Sequence, residues 1–223
     1  LSNADRERFM SVSPRGNQHA KTCFKSFDCS MMELADDIAY GIHDLEDAIV
    51  MGMLHKPDFV EQVVEPLQQL SVARLSEQID DLCERLFSDQ HHQRKNAIGA
   101  LVNCFITAIA ITEDHEFEHP LLRYQASFPA NYQHALGIFK KFVFEYVISK
   151  PQVQRLEYKG QQVVMELFEA LNSDPTRLLP ENTRKRWLHA AANNLGERVI
   201  CDYISGMTDE YAARLHGDLF SPK

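Results

Sequence analysis

Residues 31–53 constrain this chain more than any other stretch: Met-Met-Glu-Leu-Ala-Asp-Asp-Ile-Ala-Tyr-Gly-Ile-His-Asp-Leu-Glu-Asp-Ala-Ile-Val-Met-Gly-Met. At about 100° per residue, Met31, Leu34, Ile38, Ile42, Leu45, Ile49 and Met53 fall in a sector roughly 100° wide. Opposite them, Glu33, Asp36, Tyr40, Asp44 and Asp47 share a sector of about 80°. The pattern predicts one amphipathic helix with a buried face and a row of carboxylates around a tyrosine. Ser30 is the expected N-cap, with Glu33 completing a capping box. No Lys or Arg lies between Lys25 and Lys56. Like charges at i,i+4 cost a few tenths of a kcal/mol per pair. A helix that keeps them either faces water or holds cations.

The rest of the chain also reads as helical. Gly and Pro are scarce, nine each in 223 residues, which favours long helices over a turn-rich sheet. Helical patterns run over about 58–70, 71–88, 90–112, 131–149, 152–172 and 184–205, and Thr208 can cap a last helix. Asp58 can cap the first of these, and Pro66 inside it predicts a break or kink. Pro151 suits a helix start. Asp174-Pro175 and Leu179-Pro180 mark a loop, as do residues 113–130 with Pro120 and Pro129. Residues 1–22 form a polar arm with a loop at Ser13–Asn17, expected to be partly disordered. The expected class is all-α, a multi-helix bundle.

Composition narrows the function. The net charge of −9 does not attract nucleic acid or anionic membrane non-specifically. No apolar run reaches the roughly 18 residues of a membrane span. The five cysteines are odd in number and scattered, which suggests reduced thiols and a cytoplasmic home. His115-Glu116-Phe117-Glu118-His119 matches the H-E-x-x-H zinc pattern. That chemistry needs a continuing helix, and Pro120 disfavours helical geometry at His119. A loop is expected there.

The run Glu33-Leu34-Ala35-Asp36-Asp37-Ile38-Ala39-Tyr40, followed by His43-Asp44-Leu45-Glu46-Asp47, closely resembles the last metal-binding helix of the dGTPase-like deoxynucleoside triphosphate triphosphohydrolases, within the HD phosphohydrolase superfamily. Asp202-Tyr203-Ile204-Ser205-Gly206-Met207-Thr208-Asp209-Glu210-Tyr211-Ala212 resembles that family's C-terminal signature, and a Gly turn with a capped helix explains it as packing. The resemblance implies hydrolysis of a deoxynucleoside triphosphate, dGTP first among them, to nucleoside and tripolyphosphate, with a divalent metal such as Mg²⁺ or Mn²⁺. It implies that Asp36 is the metal's distant carboxylate ligand, that Tyr40 and Asp44 meet the deoxyribose, and that Arg94 meets the phosphates.

The family's remaining metal ligands are a His and a His-Asp pair upstream of that carboxylate. Here only His19 precedes Asp36, and the one His-Asp pair, His43-Asp44, is downstream on the same helix. The chain also lacks an initiating Met. The expectation is therefore the C-terminal portion of a longer enzyme, inactive alone and self-associating as a homo-oligomer. Its expected parts are an arm over 1–30, the end of an HD-type catalytic domain over 31–130, and an associated helical region over 131–223. The alternatives are an HD phosphohydrolase of another nucleotide, or a helical regulatory or interaction domain without catalysis.

Overall fold

The amino-terminal arm is folded. The computed structural model describes residues 1–16, 18–70 and 72–221. Helix α1 (Asn3–Phe9) is capped by Ser2, whose hydroxyl accepts from the Asp5 amide at 3.1 Å. Strands β1 (Val12–Arg15) and β2 (Gln18–Thr22) pair antiparallel. They turn at Gly16, whose φ of +52° costs a glycine little. The expected loop over 13–17 is thus a hairpin, with Asn17 outside the described residues.

The acidic segment is helical throughout, with a change of register at its middle. Helix α2 (Phe27–Ile38) runs through a π-helical turn, Ala39–His43, into α3 (Asp44–Val50). Its cap is Ser26, which accepts from the Cys29 amide at 3.2 Å, rather than the expected Ser30. Ser30 is buried inside the helix, where a long-range contact claims it. Its hydroxyl donates to the Phe27 carbonyl at 2.6 Å and accepts from the Ala126 amide at 2.9 Å. Glu33 pairs with Lys25 instead of completing a capping box. Ile38, Ile42 and Leu45 are buried as expected, while Met31 is exposed.

Next come α4 (Lys56–Phe59), a second π turn (Val60–Val64) and α5 (Glu65–Leu70). His55, not Asp58, is the N-cap residue. Pro66 would crowd the carbonyl four residues back, and the wider π turn just ahead of it relieves that clash. Helix α6 (Leu75–Leu86) follows, and the expected start at Ser71 lies outside the described residues. Helix α7 (His91–Ala108) ends sooner than expected. Its tail leaves as β3 (Ala110–Glu113), paired antiparallel with β4 (Tyr124–Ser127), and the short α8 (Pro120–Arg123) lies between them. Helix α9 (Ala130–Val143) leads into a third π turn, Phe144–Ile148.

These elements form one compact unit, Leu1–Lys150. Phe59, Phe105, Phe139 and Phe142 sit fully buried at its centre. Phe139 has ring centroids 6.3 Å from Phe59 and 6.0 Å from Phe105. Helix α9 crosses close to the first π turn because residue 41 is glycine. A Cβ there would lie 3.0 Å from Leu136 Cδ1 and 3.6 Å from Phe139 Cβ.

The second unit, Pro151–Lys223, holds α10 (Pro151–Ser173), α11 (Pro175–Leu178), α12 (Glu181–Ala191), α13 (Gly196–Ser205) and α14 (Asp209–Phe220). Leu171, Leu179 and Ile200 form its small core, with Trp187 against them. The single helix expected over 184–205 is two, parted where Asn194 takes φ +57°. Thr208 caps α14 as expected, accepting from the Tyr211 amide at 3.3 Å. The chain divides into its compact units after Lys150, so α9 belongs to the first. The class is all-α, with two small two-stranded ribbons among the described residues.

Candidate functional site

The first π turn draws the acidic row toward alignment. Four residues overshoot one α turn by about 40°. A π turn closes i→i+5 and holds more residues, so the same four steps undershoot. Here the Asp44 amide donates to the Ala39 carbonyl across the turn. By this geometry the step from 40 to 44 offsets the step from 36 to 40, which sets positions 36, 40 and 44 nearer one line than an unbroken α-helix would. Such turns are frequent where side chains must be re-aimed.

Electrostatics register the proximity. Burial first, then the Asp47 charge, holds the Asp44 carboxyl above the ordinary carboxylate range; His43 opposes this and Asp36 adds to it. The Tyr40 phenol is likewise raised, first by burial and then by Asp44, against the opposing charge of Lys140.

The carboxylates of residues 31–53 divide into two sets. Glu33 pairs with Lys25, Asp37 with Lys140, and the buried Glu46 with Lys95 at 2.9 Å. Asp36, Asp44 and Asp47 make no side-chain hydrogen bond or ion pair among the described residues. The protein thus neutralises three acids with lysines reaching in from outside the helix, and leaves the stripe on either side of Tyr40 negative. A different row of the same segment, Met31, Ala35, Ala39 and His43, lines an apolar cleft of about 480 Å³ with Val102 and Ile106 among others.

This is a negative, half-sheltered row with one aromatic in it, and known proteins carry a matching sequence. Residues 126–218 match the phosphohydrolase-associated domain. The chain is 55% identical over 225 residues to the deoxyguanosinetriphosphate triphosphohydrolase-like protein of Shewanella sediminis (strain HAW-EB3). It is 57% identical over 227 residues to that of Shewanella pealeana (strain ATCC 700345 / ANG-SQ1). The chain belongs to the dGTPase-like family. That family lies in the HD phosphohydrolase superfamily. Both matches cover 100% of this chain and 51% of the relative, so the chain spans about half the length of the curated relatives it matches.

Against the dGTPase-like pattern, Asp36, Tyr40 and Asp44 share the segment running from α2 through the π turn to α3, and Arg94 lies on α7. The Arg94 Nη1 donates to the Ser88 carbonyl at 3.5 Å, at the corner between α6 and α7. Its Nε is buried without a hydrogen-bond partner. Arg94 is not among the charges that shift Tyr40 or Asp44. Its neighbour Lys95 is the residue that reaches α3, through Glu46.

A metal suits this row in one respect. Asp36 is exposed and unengaged, and carboxylate oxygen is the donor that Mg²⁺ and Mn²⁺ take. Among the described residues, no three His, Cys, Asp or Glu side chains are grouped to hold a metal ion. What they offer is one carboxylate's share of a coordination shell.

The H-E-x-x-H stretch is a turn, as Pro120 predicts. Its parts have other tasks. The amides of Glu118 and His119 donate to the buried Asp5 at 3.3 and 3.2 Å, tying α1 to this loop. His119 Nδ1 accepts from the Leu121 amide and caps α8. His115 lies 3.8 Å from Glu113.

Sequence reasoning missed the three lysines. Lys25, Lys95 and Lys140 lie outside residues 31–53, so no local window shows them. The one local signal was Gly41, a glycine in mid-helix that costs about 1 kcal/mol relative to Ala unless something packs closely there.

Proposed function

We propose that this chain supplies one wall of the active site of a metal-dependent dNTP triphosphohydrolase, acting first on dGTP and releasing deoxynucleoside and tripolyphosphate. The observation that carries the reading is the acidic stripe: Asp36, Tyr40 and Asp44 set nearer one line by the π turn, its acids unpaired while their neighbours are neutralised. The names of the relatives support the reaction class.

In this reading Asp36 would hold the divalent cation through its carboxylate. A cation there would neutralise phosphate charge and lower the pKa of an attacking water. It would also relieve the repulsion that Asp44 feels from Asp36. Tyr40 packs its ring on the deoxyribose and leaves no room for a 2′-hydroxyl. Asp44 accepts a hydrogen bond from the 3′-hydroxyl. Arg94 is the proposed phosphate contact, its charge lying one helix away. The remaining metal ligands come from outside these 223 residues, so the chain alone binds metal loosely and does not turn over. Exposed apolar side chains such as Leu156 and Met165 on α10 support self-association. No helix among the described residues is long and apolar enough to cross a membrane, and the scattered thiols support a cytoplasmic setting.

The sugar assignment has a direct test in the longer protein that carries this sequence. Losing the partner of a buried hydroxyl costs about 1–3 kcal/mol, roughly ten- to a hundredfold. Asp44→Ala should lower kcat/KM for dGTP by that factor and leave ddGTP, which has no 3′-hydroxyl, nearly unaffected. Tyr40→Ala should raise GTP relative to dGTP. Unchanged ratios among dGTP, ddGTP and GTP in both variants would remove these two residues from the sugar pocket.

A further inference from the structure

Tyr40 stands between two unlike environments. On one side are the unpaired Asp36 and Asp44. On the other, α9 brings the Lys140 amine 5.7 Å from the centre of the Tyr40 ring. That amine is anchored by an ion pair to Asp37, the residue after Asp36. A cation held over a tyrosine face is attracted by the ring's quadrupole, and more strongly where water is partly excluded. Tyr40 is such a half-buried ring, packed against the main core.

The approach depends on Gly41. A Cβ at that position would lie 3.4 Å from Lys140 Cγ, as well as 3.0 Å from Leu136 Cδ1. The glycine therefore lets α9 come down onto the turn that carries Tyr40, and Lys140 with it. Beyond Lys140 and Asp37 opens a cleft of about 660 Å³, which Lys25, Glu33 and Gln125 also line. Its two lysines are each engaged by a carboxylate. Lys140 is thus committed to protein groups rather than poised as a free phosphate ligand.

We propose that Lys140 is a positioning residue for sugar recognition: gripped by Asp37, it holds the Tyr40 ring from behind, so that the ring keeps the angle at which it meets a deoxyribose and excludes a 2′-hydroxyl. The inference rests on the reading of Tyr40 as the residue beside the sugar. If the ring were free to swing about its first side-chain torsion, the space it blocks would open, and ribonucleotides would enter. The amine restrains that swing through two contacts on two different residues of the acidic helix.

The test is the ratio of kcat/KM for dGTP to that for GTP in the longer protein. Lys140→Met should lower the ratio about tenfold, the effect of one lost specific contact, while kcat for dGTP changes little. Lys140→Arg should restore most of it, because guanidinium also pairs with carboxylate and stacks on aromatic faces. The double variant Lys140→Met with Asp37→Asn removes the unpaired acid and keeps the question open to measurement if the single variant folds poorly. A fall in rate with the ratio intact, unrescued by Arg, would reduce Lys140 to a structural role and overturn the proposal. A second readout separates this failure from that of the enzyme reading. In the 223-residue chain, Lys140→Met should shift and broaden the Tyr40 ring resonances; an unperturbed ring would overturn the contact whatever the activity. Absence of dNTP hydrolysis in the longer protein, with the ring shift present, would overturn the sugar role of Lys140 together with the enzyme reading and leave only the contact.

Discussion

Asp36→Ala in the longer protein should abolish metal retention and lower nucleoside release by more than about a hundredfold, beyond what losing an outer-shell partner of a metal ligand costs. The fold should survive. Asp36 is exposed, bonds to nothing through its side chain among the described residues, and would be replaced by the best helix former. Removing one of several crowded like charges also relieves strain on the helix. Metal content by elemental analysis, tripolyphosphate release and melting temperature together check this. Near-normal turnover with an unchanged melting temperature would remove Asp36 from the metal shell.

Phe139→Ala should destabilise the chain by about 3–5 kcal/mol. Phe139 is fully buried, meets Phe59 and Phe105, and lies under the π turn beside Gly41. The cavity left behind is bounded by packed aromatic rings on α4 and α7, which cannot collapse into it without moving their helices. Because α9 also carries Lys140, the same change should loosen the Tyr40 environment before the chain unfolds. Denaturant unfolding with unchanged m-value gives the magnitude. A loss below about 1 kcal/mol would mean that the site is not braced by this core.

The acidic helix was legible because its pattern is local: apolar spacing on one side, carboxylates and Tyr40 on the other. Pro151 and Thr208 were legible for the same reason, since each acts within its own helix end. The misplaced cap shows where this stops. Ser26 and Ser30 both suit a helix start, and what decides between them is the Ala126 amide, 96 residues away in sequence. Helix α7 had enough apolar residues to continue, but Ile109 onward gains a strand partner in β4, which no local window contains. The π turns arise from demands of this kind too, one beside a close helix crossing at Gly41 and one ahead of Pro66. At the site, the stripe was readable, whereas its surroundings were not. That Glu33, Asp37 and Glu46 are neutralised and Asp36, Asp44 and Asp47 are left unpaired follows from where Lys25, Lys140 and Lys95 arrive in three dimensions.

The most direct measurement is release of deoxyguanosine when the purified 223-residue chain is incubated with dGTP and Mn²⁺. Two compact units, each with its own buried apolar core, predict a chain that is folded in both. One carboxylate with acidic neighbours predicts weak Mn²⁺ binding, because a lone ligand cannot set the geometry that catalysis needs. The expected result is therefore a folded protein with no turnover above the metal-only control. Tight, stoichiometric Mn²⁺ binding with sustained deoxyguanosine release would contradict the account, since these residues would then hold a complete metal centre by themselves.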